Sequence, residues 1–392
     1  MAKSVYIGVN NVARKVKKMY IGVDGVAHKV KKGYIGVGGV ARPFFSSSTG
    51  AIEAFGPATP ADAGVMFHAA ASVGNYALFG GGYTTSPTKT VTVYNSSLVK
   101  SAAPDLNAAR QMLAAVSVGN YAIFAGGNYS TSYPTTPDAY NSSLVRTSLS
   151  AISVGRNELM GASVGNYAIF AGGYYYSNGY VSCDTVDVYN SSLVKTTATA
   201  LYSKVDRGVA TSVGNYAIFG AGFNIQESAY PKYYSAYNKS LSRSTCYVST
   251  ILGIQSSATS VGNYALFGGG NGTSSEMNTV VVINSSLVNT GTVQLSKAKH
   301  AIGATTLGTL AIFAGGGTYN STNNSGSHTR ESNVDTFNTS LTRGTLADLS
   351  VARMGVVGAV AGDYAIFLGG GTGMMMGSPN NPSNVADVYA IN

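Results

Sequence analysis

The residues able to carry out acid–base, nucleophilic or metal chemistry are few and far apart. Four histidines (His28, His68, His300, His328) and two cysteines (Cys183, Cys246) are scattered through 392 residues. None stands at the short spacing from a second ligand that a metal site requires. No catalytic residues, no metal and no cofactor are therefore expected, and the cysteines read as plain buried or loop thiols. Gly371-Thr372-Gly373-Met374-Met375-Met376-Gly377 has the look of a dinucleotide loop, but no helical pattern follows it. The Asn-x-Ser/Thr triplets at Asn95, Asn141, Asn190 and Asn284 read as turn residues.

Recognition chemistry is abundant by contrast. Tyrosine, asparagine, serine and glycine gather in Gly127–Tyr133, Gly173–Tyr180, Phe223–Glu227 and Thr318–Asn324. That mixture gives binding loops rigid amphipathic area together with adaptable hydrogen bonding. It suits sugar rings, which offer an apolar face and hydroxyl edges. The candidate ligand-binding residues are Tyr83, Tyr129, Tyr133, Tyr174, Tyr175, Tyr176, Tyr180, Phe223 and Tyr319. The plainer alternative is that these segments are soluble connectors of drifting sequence. Arg110, Arg156 and Arg353 stand eleven residues before a recurring tyrosine, with Lys299 equivalently placed. They could attract an anionic ligand such as an acidic glycan, or tie neighbouring units together through loop carbonyls.

Charge marks off one end of the chain. Residues 1–44 hold nine Lys/Arg against Asp24 alone and so carry +8 of the net +9. Within them a 14-residue unit repeats, with Tyr6, Tyr20 and Tyr34 in register, and each unit reads as strand, two-residue turn, strand. Asn10-Asn11, Asp24-Gly25 and Gly38-Gly39 supply residues that tolerate positive φ. One hairpin is barely stable alone, so three in tandem need each other or a partner. Clustered Lys/Arg would also bind phosphates, but the regular Tyr and Val favour docking or oligomerisation, a homotrimer included, over nucleic acid. Tyr6, Tyr20, Tyr34, Arg14 and Lys29 are the candidate anchor residues, and 45–50 reads as a flexible link. The start lacks the continuous apolar region of a secretory signal and no run approaches a membrane span. Cytoplasmic synthesis without membrane insertion is expected.

A longer repeat must position the binding segments. Tyr-Ala-Ile/Leu-Phe begins at Tyr76, Tyr121, Tyr167, Tyr216, Tyr264 and Tyr364, with a degenerate copy at Leu310. The gaps are 45, 46, 49, 48, 46 and 54 residues. A period of roughly 40–50 residues built of strand-like motifs predicts a β-propeller with one four-stranded blade per repeat. In the second repeat, strand a is expected over 111–117, strand b over 121–125, strand c ending at Tyr140, and Asn141-Ser142-Ser143 turning into strand d. The chain ends where the seventh blade should turn into strand d. Ala51–Gly56 is predicted to supply that strand, so that 51–392 closes on itself and leaves no open edge. The a–b and c–d turns would share one face, uniform from repeat to repeat. The diverse b–c and d–a connections would share the other, where recognition on rigid scaffolds usually resides.

An apolar strand ending in Gly-Gly, a second ending in Tyr and a basic residue before strand a resemble kelch repeats over roughly 51–392. The likeness lacks the tryptophan usual on strand d and has Asn-Ser-Ser where the family often has Asp-Pro. It implies an all-β, seven-bladed kelch-like β-propeller, here with a small N-terminal β-hairpin repeat module. Cys246-Tyr247 without nearby histidines falls short of the copper oxidases built on such propellers. The basic Tyr-x-Gly-Val units resemble segments of bacteriophage structural proteins. Together these resemblances imply a non-enzymatic appendage of a phage particle (tail fibre or baseplate). It would dock on a virion protein through the hairpins and bind a host-surface glycan or protein through the loop face. The alternative expectation is an intracellular kelch scaffold that holds a protein partner.

Overall fold

The computed structural model describes residues 51–272, 275–319, 328–372 and 381–391, together with strand residues 6–9, 12–15, 19–23, 26–30, 32–37 and 40–46. The chain separates into two compact units, Met1–Glu53 with Ala390–Asn392, and Ala54–Tyr389. The smaller unit carries three two-stranded antiparallel hairpins, Tyr6–Val9 with Val12–Lys15, Met19–Val23 with Val26–Val30, and Lys32–Val37 with Val40–Ser46. Val9 pairs with Val12, Val23 with Val26 and Val37 with Val40. This is the register that two-residue connections impose. The last strand runs on through Phe45 and Ser46, so only 47–50 of the expected link lie beyond it, outside the described residues.

Seven four-stranded antiparallel sheets follow, and no helix occurs among the described residues. The fold is a seven-bladed β-propeller. Blade 2 is typical: Ala114–Val118, Tyr121–Ala125, Asp138–Asn141 and Arg146–Ser148 form strands a to d. The seventh sheet is completed by Ile52–Ala58, which lies beside Ala386–Ile391 as its outermost strand. Small hairpins are inserted between strands b and c of blade 3 (Tyr174–Tyr176 with Tyr180–Ser182) and blade 6 (Gly317–Tyr319 with His328–Arg330).

Strand b is apolar at successive positions because neighbouring blades cover it on both sides. Its last four residues are buried in every blade. A doubly covered strand needs no polar alternation. The core consequently lies between blades: Leu78, Val91 and Val93 of blade 1 pack with Ala122, Phe124 and Tyr140 of blade 2. Within a blade the strand b Phe meets the strand c aromatic edge-on, with centroids 5.8 Å apart for Phe124 and Tyr140. A tyrosine hydroxyl taken out of water is costly without an acceptor. Tyr140, Tyr189 and Tyr237 donate to the d–a connection before their own blade, at Pro104 O (2.7 Å), Ser150 O (2.6 Å) and Thr199 O (2.7 Å).

The c–d turns are nearly identical. In six blades an Asn Oδ1 accepts the N–H groups two and four residues on, as Asn141 does from Ser143 (2.9 Å) and Val145 (3.0 Å). The leucine that follows (Leu98, Leu144, Leu193, Leu241, Leu287 or Leu341) takes a left-handed φ near 60°. Asparagine at such a corner replaces backbone partners with its own amide.

Candidate functional site

The four cations at the entrance to strand a are fully buried: Arg110, Arg156, Lys299 and Arg353 are each 0% exposed. Each pairs with a strand c aspartate of its own blade, Asp138 (3.4 Å), Asp187 (3.0 Å), Asp335 (3.4 Å) and Asp387 (2.9 Å). The guanidiniums also donate to their own blade's carbonyls, Arg156 to Gly172 O (2.7 Å) and Val154 O (2.8 Å), Arg353 to Gly369 O (2.8 Å). These side chains therefore stitch strand a to the b–c connection, and none reaches solvent. Their removal from the candidate ligand set follows from burial. The tie between blades is made by backbone instead: the N–H of the second glycine after strand b donates to the carbonyl of the residue at the cation's position in the next blade. Gly82 bonds Arg110 O, Gly127 Arg156 O, and Gly173 Val205 O, at 2.8, 2.9 and 2.8 Å. A Cβ on Gly127 would sit 2.6 Å from Gln111 O, so close approach excludes other residues there.

Burial pulls Arg110 and Lys299 below their ordinary pKa ranges, opposed by Asp138 and Asp335. Burial alone would raise both Asp138 and Asp187, yet they shift in opposite directions. Asp187 is held low by Arg156 and by Ser153, which donates from both N (2.9 Å) and Oγ (2.6 Å). Asp138 has more distant cations and stays raised by burial.

Two residues after each cation position lies a ring invisible to motif reading. Phe67, Met112, Glu158, Arg207, Gln255, Ala301 and Gly355 all adopt left-handed φ between 48° and 69°. Each stands nine residues before the first residue of the strand b motif. Backbone bonds link members in sequence: Met112 N to Phe67 O and Glu158 N to Met112 O at 2.8 Å, then Ala301 N to Gln255 O at 2.8 Å and Gly355 N to Ala301 O at 2.7 Å. A left-handed non-glycine residue costs roughly 1 kcal/mol and persists only where its surroundings over-determine it. This ring explains why strand a of blade 2 starts at Ala114 rather than 111: Met112 is left-handed, and Gln111 instead bridges Asn128.

The ring frames the mouth of the central channel on the loop face. Phe67, His68, Met112, Glu158, Arg207, Gln255 and Ser256 line a pocket of about 220 Å³ there. Arg207 sits against Asp206 (2.6 Å) and lies 3.8 Å from Glu158. Glu158 is thus only partly compensated, and burial pushes its carboxyl up to about 7 despite Arg207, with Asp206 adding to the rise. Its Oε2 makes no hydrogen bond. Burial pulls His68 down to about 4, so its imidazole is neutral at pH 7. Deeper in the channel the side chains are small: Gly161, Ala210, Ala258 and Ala304, then Ser163, Thr211, Ser212 and Thr305.

The predicted aromatic residues fall into three groups. Tyr83, Tyr174 and Phe223 hold equivalent positions, each bridging the residue just before the ring (Met66, Asn157 and Asp206). Phe223 packs on Tyr230 (5.0 Å) and lies under the Arg207 guanidinium (5.9 Å). Tyr133, Tyr174, Tyr176 and Tyr180 come together between blades 2 and 3 around a pocket of about 290 Å³. Tyr129 is exposed at its own loop tip and Tyr175 alternates to the other side of the hairpin; neither lines that pocket. Tyr319 belongs to strand Gly317–Tyr319, and its side chain lies outside the described residues. The anchor candidates occupy hairpin strands, with Tyr20 opposite Lys29 and Tyr6 opposite Lys15; their side chains also lie outside the description. Both cysteines are buried and free, and burial pushes Cys183 up to about 11. Among the described residues no group of three or more His, Cys, Asp or Glu could hold a metal ion.

Motif reading missed the aspartate partners, the ring and an exposed aromatic row on blade 4. That row is Tyr202, Tyr233 and Tyr247, with neighbouring centroids 5.1 and 5.3 Å apart and Arg243 over Tyr202. The aspartates had a signal: Asp138, Asp187, Asp335 and Asp387 occur in just the four repeats that carry a cation. The other three place Val65 with Thr92, Val205 with Ser235, and Gly253 with Val281 at these positions.

This is a seven-bladed propeller with one uniform rim and one chemically diverse rim, an architecture that fits a binding or scaffold role. The chain is similar to the solved structure titled "Structure of YjhT", with a TM-score of 0.57 and 13% identity, over 73% of this chain and 96% of that one. At that identity the likeness carries the fold alone. No family model and no curated protein matches the chain.

Proposed function

We propose that the protein is a non-enzymatic binding protein whose loop face recognises a host-surface ligand, a glycan in the leading reading. The observation that carries this is the contrast between equivalent positions. The seven left-handed mouth positions hold seven different residues, whereas the c–d corners repeat Asn, Ser and left-handed Leu. Strain retained at a rim whose side chains differ from blade to blade supports selection for what those side chains touch. The setting on a phage particle, with the basic hairpins docking on a virion protein or forming a trimer, rests on the resemblance of the N-terminal repeats.

The test is binding of the full chain to a glycan array, before and after all b–c loops are shortened to the length of the blade 1 loop. Loss of binding with an unchanged melting profile is expected; unchanged binding would sink the reading. Removal of residues 1–44 should leave a folded propeller that no longer assembles, checked by light scattering and by incorporation into particles.

A second reading, a scaffold for a protein partner, is favoured by the Tyr202–Tyr233–Tyr247 row, whose members are 53%, 43% and 51% exposed. Exposed aromatics beside an arginine are typical anchors of protein interfaces. Loss of a co-purifying partner in Tyr233→Ala with glycan binding intact would favour it.

A further inference from the structure

The geometry points to the cleft between blades 2 and 3 as a subsite for one neutral sugar residue, its ring against tyrosines and its hydroxyl or acetamido N–H donors on two asparagine amides. The inference rests on the loop-face reading above and deepens it. Three tyrosines of blade 3 build the aromatic wall: Tyr180 meets Tyr174 at 5.5 Å and Tyr176 at 5.4 Å, both edge-on. Tyr133 of blade 2 stands opposite, lining the same cleft. Edge-on packing turns ring faces in different directions and leaves some open to the cleft. Tyr176 and Tyr180 are each 59% exposed, an unusual state for large aromatics without a partner.

The polar part is more specific. Asn157 is 2% exposed, and its Oδ1 is buried without a hydrogen bond; so is the Oδ1 of Asn128. Both residues line the cleft. Asn128 Nδ2 donates to Ser130 O (3.1 Å), which fixes that amide's orientation and presents its oxygen as an acceptor. Asn157 is clamped by reciprocal backbone bonds with Tyr174, both 3.0 Å. Asn157 Nδ2 reaches Met112 Sδ (3.7 Å) and its amide adjoins the Tyr174 side chain, so its oxygen and that of Asn128 are held where a ligand could donate to both.

None of the eight lining residues is charged, which favours a neutral ligand over an acidic one. The volume, about 290 Å³, lies at the small end of ligand pockets and suits a single ring. The wall is also held from behind. Gln226 of blade 4 donates to Tyr180 O (2.9 Å) and accepts from Ser182 N (3.1 Å), fixing the hairpin that carries the tyrosines.

The probes are methyl glycosides of glucose, galactose, mannose, N-acetylglucosamine and N-acetylgalactosamine, with methyl glucuronide as the charged control. Each is titrated into the full chain by saturation-transfer NMR. At least one neutral glycoside should bind with millimolar affinity through its ring C–H face. Tyr176→Ala and Asn128→Ala should each weaken it about tenfold, while Tyr202→Ala, on the separate aromatic row, leaves it unchanged. Tyr176 is exposed, so its loss leaves the fold intact. Three results overturn the subsite: no neutral glycoside binds, the glucuronide binds more tightly, or both cleft variants bind like wild type. The loop-shortened chain on the glycan array separates the two readings. If shortening abolishes array binding while Tyr176→Ala does not, the subsite fails and the loop-face reading stands.

Discussion

The two rims of the propeller solve the same geometric problem in different ways. Both carry non-glycine residues in the left-handed region, in six of the seven blades. At the c–d corners these are always leucines beside an asparagine that satisfies the turn. At the channel mouth they are aromatic, thioether, acidic, basic, amide and methyl side chains, plus one glycine. A position governed only by folding converges on one answer, as the corners have. Divergence at the mouth, at comparable strain, is what the proposed recognition role leads one to expect. A second comparison sharpens the first. Blades 2, 3, 6 and 7 bury a cation–aspartate pair, and blades 1, 4 and 5 do not, yet all seven have the same sheet order. The pair is one of two interchangeable ways to fill a site whose inter-blade bond is made by backbone.

Breaking that equivalence should give the largest effect. Arg156→Ala removes one of the two cations on buried Asp187, leaving Lys195 at 2.9 Å and the Ser153 donors, and should cost about 3 kcal/mol in urea unfolding. Copying blade 4 with Arg156→Val and Asp187→Ser should restore most of the loss. The serine would accept from Ser153 N as Ser235 Oγ accepts from Tyr202 N (2.9 Å). If the double variant is as unstable as the single, the two solutions are not interchangeable.

The mouth should reveal itself through pH. The folded-state pKa of Glu158 is raised to about 7 from an ordinary 4.5, so between those values the folded state binds the extra proton. Stability is then greatest below about pH 4.5 and falls as pH rises to about 7, by up to about 3 kcal/mol for this group. Glu158→Gln should flatten that slope in melts taken across the window; an unchanged slope would assign it to another group.

Smaller effects separate the rims directly. Asn141→Ala strands two corner N–H groups and should cost about 1–2 kcal/mol without touching ligand binding. Met112→Gly should change stability by less than about 1 kcal/mol, since relief of left-handed strain offsets glycine's extra chain entropy. It should nevertheless alter binding on the glycan array. A glycine variant that binds like wild type would make the mouth a structural ring only.

Much of the architecture was legible because strand b must be apolar on both faces in every blade. That demand writes Tyr-Ala-Ile-Phe at intervals of 45–54 residues, and counting it yields seven blades. The uniform corners were legible for the same reason, since an asparagine turn needs its residues at fixed offsets. The site was legible only in part. Tyr174, Tyr176 and Tyr180 announced themselves by composition, but their assembly with Tyr133, Asn128 and Asn157 brings together two blades. The entrance cations could be read as a binding feature or as structural ties, because charge in a sequence says nothing of burial. Arg110 and its equivalents turned out to be 0% exposed.

By itself, the order of amino acids settled the repeat number, the strand character and the monotony of one rim, because each depends on residues close together in the chain. Closure into a ring decided what remained. It chose which carbonyl each glycine N–H reaches in the next blade, and it forced a left-handed turn at the mouth. It also placed two amide oxygens without a hydrogen bond beside the tyrosines. Those outcomes depend on distances between segments about 45 residues apart, which no local pattern encodes.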